Sequence, residues 1–270
     1  MITEALRNFL KEDIGPFDLT APVGRGKRSK AKLICRSGAI LCGIDFFEQI
    51  FKLLDKNADI KRFFKDGDYI EKSQTAAILD ADAAAILSGE RTALNLISRL
   101  SGIATLTREF VDLIAQYKTV LLDTRKTTPG MRIFEKYATG IGGASNHRLG
   151  LYDCAMIKDN HIKVAGSITA AIKKIKPKIP FTAKIEIEVK NIDEFREAVK
   201  GGADIVLLDH FEIADIERAV KQRKRDVKLE VSGNVDKNSI RALAATGVDY
   251  ISTGFITHHA VWSDFALKIV

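Results

Sequence analysis

The apolar positions of the chain change rhythm near residue 105. Upstream, apolar residues at helical spacing predict a short helix from Ile2 to Lys11 and another from about Phe46 to Asp55, with a turn at Asp13-Ile14-Gly15-Pro16 and several strand-like pieces around them. A long helical pattern runs from about Ala83 to Tyr117, with a candidate break at Gly102. Downstream, short apolar runs alternate with amphipathic segments. The runs are Val120 to Asp123, Ala155 to Lys158, Ile185 to Val189, Ile205 to Asp209, Leu229 to Ser232 and Tyr250 to Gly254. Helices are expected between them, for example over Asp193 to Lys200, Ile213 to Gln222 and Lys237 to Ala245, and Gly140 to Ser145 fits either a strand or a loop. Strand–helix alternation implies a parallel sheet, and about six or seven such units would close into a β/α barrel. The expected division is an α/β domain over 1–104 and a barrel over 105–270, with the last residues returning to the first domain.

Two of the runs carry more than apolarity. In Lys184-Ile185-Glu186-Ile187-Glu188-Val189-Lys190 the charges take one parity and the apolar residues the other, and Lys228, Glu230 and Ser232 share a parity against Leu229 and Val231. Alternate residues of a strand face opposite sides. With one face packed under helices, Glu186, Glu188 and Glu230 point into the barrel, where each charge needs a partner. An open sheet with a solvated face is the alternative.

Composition narrows the class. Of 270 residues, 46% are hydrophobic and 29% charged, enough for a sizeable core. No apolar run reaches the roughly 18 residues of a membrane span. The start, Met1-Ile2-Thr3-Glu4, carries no apolar signal core, so the expected location is cytoplasmic, without membrane association. Cys35, Cys42 and Cys154 show no metal or redox spacing and read as reduced thiols. The net charge of +7 suits an anionic partner. Two basic runs, Lys27 to Lys32 and Lys221 to Arg225, read as solvated surface, and no aromatic residues interleave with them as in single-strand nucleic-acid binders.

The densest chemistry lies in Asp123-Thr124-Arg125-Lys126-Thr127-Thr128-Pro129-Gly130, in Gly142-Gly143-Ala144-Ser145-Asn146-His147-Arg148 and in Ile157-Lys158-Asp159-Asn160-His161. The cations sit at strand ends and in glycine-rich turns, the places where β/α barrels carry their chemistry. Arg offers a planar fork that matches carboxylate or phosphate, and Lys a point charge. Arg125, Lys126, Arg148 and Lys158 on one mouth would repel each other without an anionic ligand. The last strands end in Ser232-Gly233-Asn234 and Ser252-Thr253-Gly254, small residues that let backbone N–H groups approach a phosphate. Arg91 follows Leu87 by four and precedes Leu94 by three, which puts it on the apolar face of a helix. A cation there needs either a neighbouring acid or a ligand across an interface. His258-His259 has no further ligand at zinc spacing and is not read as a metal site.

These residues resemble a known family. Glu90 to Asn95, Leu100 to Thr105, Asp123 to Gly130, Asn146 to Leu151, Ile157 to His161, Glu186-Ile187-Glu188, Leu207-Leu208-Asp209, Glu230 to Gly233 and Thr253-Gly254 with Thr257-His258 look like the quinolinate phosphoribosyltransferases, in the right order along essentially the whole chain. The resemblance implies an N-terminal α/β sandwich-like domain followed by an incomplete barrel. It also implies a homodimer in which Arg91 enters the neighbouring site. By the same resemblance Arg125, Lys126, His147, Arg148 and Lys158 would bind quinolinate carboxylates and the pyrophosphate of phosphoribosyl pyrophosphate. Glu188 and Asp209 would hold Mg²⁺, while Ser232, Gly233 and Gly254, with Ser252 beside them, would cradle the 5-phosphate. Lys126, Lys158, Glu188 and Asp209 would carry the chemistry. Phe17, His210 and Asn234 depart from the pattern, where Gly, Asn and Gly respectively are usual.

Two other functions compete. A molybdenum-transport-associated paralogue shares the fold, but Lys158-Asp159-Asn160-His161 favours the quinolinate enzyme. A polyanion- or RNA-binding protein would use the two basic runs and leaves the acid-lined strands unexplained.

Overall fold

The computed structural model describes residues 1–223 and 226–270. Its elements, in chain order, are α1 (Ile2–Ile14), β1 (Arg28–Cys35), β2 (Ala39–Ile40), α2 (Ile44–Leu54), β3 (Asp59–Arg62), β4 (Tyr69–Ile70), β5 (Thr75–Asp82), α3 (Ala83–Leu113), β6 (Val120–Leu122) and α4 (Arg132–Gly142). There follow β7 (Ala155–Ile157), α5 (Asp159–Ala165), α6 (Ile168–Ile175), β8 (Ile185–Val189), α7 (Ile192–Gly201), β9 (Ile205–Asp209), α8 (Ile213–Gln222), β10 (Lys228–Ser232), α9 (Ile240–Ala245), β11 (Tyr250–Ser252), α10 (Phe255–His258) and β12 (Phe265–Ile269). The chain divides into two compact units. One comprises Met1–Arg108, Ile133–Gly143 and Ala260–Val270; the other comprises Glu109–Arg132 and Ala144–His259.

The first unit holds an antiparallel sheet in the order β12-β1-β5-β3. In β1 the period of two is visible in the burial: Ala31, Leu33 and Cys35 are inside, while Lys30 is exposed. The amphipathic α2 buries Ile44, Phe46, Phe47, Ile50 and Phe51, and Phe46 meets Phe134 and Tyr137 edge-on at 5.1 and 5.2 Å. Asp66 caps α2 from outside it, accepting the N–H groups of Gly43 and Ile44 at 2.9 and 3.0 Å and the Tyr137 hydroxyl at 2.7 Å. Glu135, wholly buried, accepts from Nη2 of Arg99 at 2.8 Å.

Helix α3 corrects two expectations. It runs through Gly102 without a break; glycine stands there because the backbone of Val261 passes so close that a Cβ would lie 2.1 Å from its carbonyl oxygen. Arg91 is exposed rather than on the apolar face. Leu87 is itself 38% exposed and, with Arg91 and Asn95, forms the outward stripe of the helix, so an apolar residue four positions back did not mark the buried side.

The second unit is a parallel six-stranded sheet in the order β6-β11-β10-β9-β8-β7. Among the described residues its edge strands do not pair with each other, so the barrel is incomplete; Ser145 adds only a bridge to Leu122, and Gly140–Gly142 ends α4 instead of forming a strand. Register fixes one face. Met156 lies opposite Glu186, Glu188 and Glu230 opposite Leu207, and Ser232 opposite Asp209. The other face, with Ile187, Val189, Val206, Leu208, Leu229 and Val231, is buried. Glu186 and Glu230 are buried too, which settles the choice between a solvated face and an acid-lined interior in favour of the interior. Among the described residues no helix is long and apolar enough to cross a membrane.

The basic runs are partly neutralised. Arg28 reaches Asp80 at 3.0 Å and Asp55 at 3.6 Å, and Arg223 pairs with Asp249. Lys224 and Arg225, the end of the second run, lie outside the described residues.

Candidate active site

The mouth of the parallel sheet is assembled by the loops that follow its strands. Asp123, one residue past β6 and wholly buried, accepts the backbone N–H of His147 at 2.8 Å and the Asn146 side-chain amide at 2.7 Å, which pins the 146–148 turn beside the 124–128 loop. Arg132 ties the same loops from the other side. Its guanidinium donates to Thr127 Oγ1 at 3.1 Å and to the Leu149 carbonyl at 3.2 Å. Thr257, in α10, donates its hydroxyl to the Lys126 carbonyl at 2.8 Å. The loops that carry the cations are thus held by hydrogen bonds of their own.

Two adjoining hollows result. The first, about 320 Å³, is lined by Thr124, Arg125, Lys126, His147, Arg148, Met156, Lys158, Glu188, Leu207, Asp209, Glu230, Ser232 and Ser252. The second, about 350 Å³, is lined by Lys126, Ser232 to Asp236, Ser252 to Phe255, His258 and His259. The sequence-derived residues of the parallel-sheet unit therefore lie at one or both hollows, with Lys126, Ser232 and Ser252 at each. Arg91 is exposed on the other unit.

Charges in the first hollow are crowded. Burial, then the neighbouring Arg148 and Arg132, holds Arg125 below its ordinary value, the mark of a cation in want of an anion. Lys158 Nζ meets Glu188 Oε2 at 2.5 Å, and Asp209 Oδ1 meets His210 Nδ1 at 3.0 Å. Arg148 donates to the Cys154 carbonyl at 3.2 Å and to Met156 Sδ at 3.4 Å. Beneath it, His147 Nε2 faces Glu186 at 3.2 Å and Glu230 at 3.4 Å. Burial opposes charge on this ring, but hydrogen bonds and charges from the two glutamates outweigh it and push His147 up to about 10. The Arg148 N–H, aimed at Nδ1 at 2.7 Å, decides against that charge, since only an unprotonated Nδ1 accepts it; the ring is neutral, with its one proton on Nε2. Burial, with the charge of Glu186, pushes Cys154 up to about 12, so it stays a thiol.

In the second hollow, Gly233 takes φ 103°, and a Cβ there would lie 2.7 Å from the His210 ring. His210 and Asn234 themselves have φ 57° and 49°. Both departures from the family pattern thus fall on left-handed backbone, where Asn or Gly is the easier residue and His and Asn remain tolerated. Phe17, the third departure, is an exposed side chain of the other unit. Sequence reading missed Arg132, whose task is visible only from the carbonyls it reaches. It also left His258 and His259 without a role. His258 lines the hollow, lowered by burial and by the nearby His259 and Lys126 charges.

Family comparison agrees with this geometry. Residues 17–101 match the quinolinate phosphoribosyl transferase N-terminal domain and residues 103–268 its C-terminal domain. A Bacillus subtilis protein named "Probable nicotinate-nucleotide pyrophosphorylase (carboxylating)" is 42% identical over 99% of this chain and 93% of its own length. The solved nicotinate-nucleotide pyrophosphorylase of Francisella tularensis superposes with a TM-score of 0.94 at 45% identity, over 100% of this chain and 96% of its own. NadC from Streptococcus pyogenes gives 0.94 at 34% identity, over 100% and 96%. With both domain models matched in order over nearly its full length, this chain belongs to the quinolinate phosphoribosyl transferase family.

Proposed function

We propose that the protein joins quinolinate to phosphoribosyl pyrophosphate, giving nicotinate mononucleotide, pyrophosphate and carbon dioxide. The observation that carries this reading is the pair of adjoining hollows. One brings Arg125, His147, Arg148 and Lys158 together with Glu188 and Asp209; the other is walled by Gly233 and Gly254, with Lys126, Ser232 and Ser252 shared. A pyridine dicarboxylate brings the two negative charges that the crowded cations want. The phosphoribosyl group fits the second hollow with its phosphate against the small residues.

The chemistry follows from these placements. The pyridine nitrogen attacks the ribose C1, and the bond to pyrophosphate breaks with its electron pair leaving on oxygen. Lys126 and Lys158, which line the first hollow, would stabilise that charge. The new pyridinium then holds the electron pair left on C2 as carbon dioxide departs, and a proton from water completes the product. Arg125 and Arg148 orient the dicarboxylate so that its nitrogen faces the donor.

Glu188 and Asp209 lie at one hollow and offer hard carboxylate oxygens, the donor type that Mg²⁺ takes alongside substrate phosphates. These two residues would hold the ion, which when bound offsets the charge of the pyrophosphate. The functional unit in this reading is a homodimer, with Arg91 entering the neighbouring copy's site. In support, Arg91 is exposed and, among the described residues, no carboxylate pairs with it. Free Cys35, Cys42 and Cys154 support a cytoplasmic location.

Calorimetry with quinolinate and nicotinate tests the reading, because the two differ by one carboxylate. Quinolinate is expected to bind at least about tenfold more tightly. Equal affinities, or no Mg²⁺-dependent nicotinate mononucleotide from quinolinate and the donor, would count against it.

A further inference from the structure

Two buried acids, Glu186 beneath the first hollow and Glu230 in its wall, have no place in the chemistry just described. Glu186 on β8 and Glu230 on β10 stand one strand apart, both buried, and both aim at His147 Nε2: Glu186 at 3.2 and 3.3 Å through its two oxygens, Glu230 at 3.4 Å through one. The second oxygen of Glu230 is buried without a hydrogen-bond partner. Such an arrangement of His and two carboxylates, with donor atoms within 4.8 Å of one another, is of the kind that holds a cation. The ring argues against one here. Its Nδ1 accepts the Arg148 N–H at 2.7 Å, so the proton sits on Nε2, the atom facing the carboxylates, and Nε2 is a donor rather than a ligand.

What the cluster does instead follows from its connections. The imidazole is held at both ends: Nε2–H by the two carboxylates, Nδ1 by the amide of the next residue. That residue is Arg148, whose guanidinium lines the hollow. A ring that rotates loses the amide contact and frees the peptide on which Arg148 is mounted. One buried acceptor would satisfy a single N–H. Two acceptors on separate strands fix the direction in which it points, at the expense of an unpaired carboxylate oxygen. We propose that Glu186 and Glu230 are positioning residues that orient His147 and, through it, Arg148 for binding the pyridine dicarboxylate. The inference rests on the substrate reading above.

The test uses the full-length enzyme, with quinolinate affinity by calorimetry, KM for each substrate, and ¹⁵N shifts of the His147 ring. Glu230→Leu is expected to weaken quinolinate about tenfold while KM for phosphoribosyl pyrophosphate changes less than about twofold. Glu230→Gln, which keeps an acceptor for Nε2–H, restores affinity to within about threefold of the parent. In a His147→Ala background, Glu230→Leu adds less than about twofold, because the residue it acts through is gone. Should Glu230→Leu fail to fold, Glu230→Asp takes its place; it withdraws the carboxylate from Nε2 and is expected to cost at least about threefold in the parent and nothing in the His147→Ala background. Parental quinolinate affinity in Glu230→Leu or Glu230→Asp overturns the inference. So does an effect that persists without His147, an equal weakening of both substrates, or a His147 ring in the parent with Nε2 unprotonated. A parent that does not prefer quinolinate to nicotinate sinks the substrate reading instead, and the ring shifts still decide the orientation.

Discussion

Arg148→Ala is expected to lower kcat/KM for quinolinate by at least about tenfold and up to roughly 150-fold, the range that loss of one or two charge-assisted hydrogen bonds spans. The residue is well mounted for such a loss to be felt. Its guanidinium is fixed on one side by the Cys154 carbonyl and Met156 Sδ, leaving its remaining N–H groups for the hollow that it lines. Fixing it beforehand removes an entropic cost of ligand capture. The fold should not suffer to match. Arg148 is one of the charges that hold Arg125 below its ordinary value, so removing it relieves like-charge repulsion in the empty site. The transition temperature of Arg148→Ala is therefore expected to stay within about 3 °C of the parent. Arg148→Lys keeps the charge without the fork and should fall between the two in activity. Steady-state kinetics with quinolinate varied, alongside thermal unfolding, checks the split. Parental kinetics, or a loss of activity that simply tracks a loss of stability, would remove Arg148 from the binding role.

The parts of this site that were legible in the sequence share a physical cause. A strand has a period of two, so Glu186, Glu188 and Glu230 betrayed their face by alternating with apolar residues, and register then carried Met156, Asp209 and Ser232 to the same side. Cations gathered at strand ends stood out because such residues, without a partner, repel. What stayed hidden depends on which loop groups a side chain reaches once the chain is folded. Arg132 looks like any arginine at the start of a helix until its guanidinium is seen on Thr127 and on the Leu149 carbonyl. Asp123 reads as a polar strand end, and only the turn it receives from 146–147 shows why it is buried. Arg91 lies on the outward face although Leu87 stands four residues before it, because folded surfaces expose many apolar side chains and Leu87 is one of them.

Gly102 gives the second large effect, and here two rules oppose each other. It sits inside α3 without the positive φ that would demand glycine, so helix propensity alone says that alanine should stabilise the chain by about 1 kcal/mol. Packing says the reverse. A Cβ at 102 would stand 2.1 Å from the Val261 carbonyl oxygen, 3.0 Å from its carbon and 3.2 Å from Trp262 Cα. All three are backbone atoms, so no side chain can swing away. The segment cannot retreat cheaply either, since Ser263 donates its N–H to the Ser98 carbonyl at 3.0 Å and Arg99 donates to the Ala260 carbonyl at 3.2 Å. Overpacking that forces backbone apart outweighs propensity, and Gly102→Ala is expected to lose about 2–4 kcal/mol, a fall in transition temperature of roughly 5–10 °C. Gly140, in α4, supplies the control. Nothing lies within 4 Å of a Cβ built there, so Gly140→Ala should hold or raise the transition temperature by the same propensity argument. Thermal unfolding of the two variants side by side separates sterics from propensity: a Gly102→Ala protein as stable as Gly140→Ala would mean that Val261 does not pack against α3 as described.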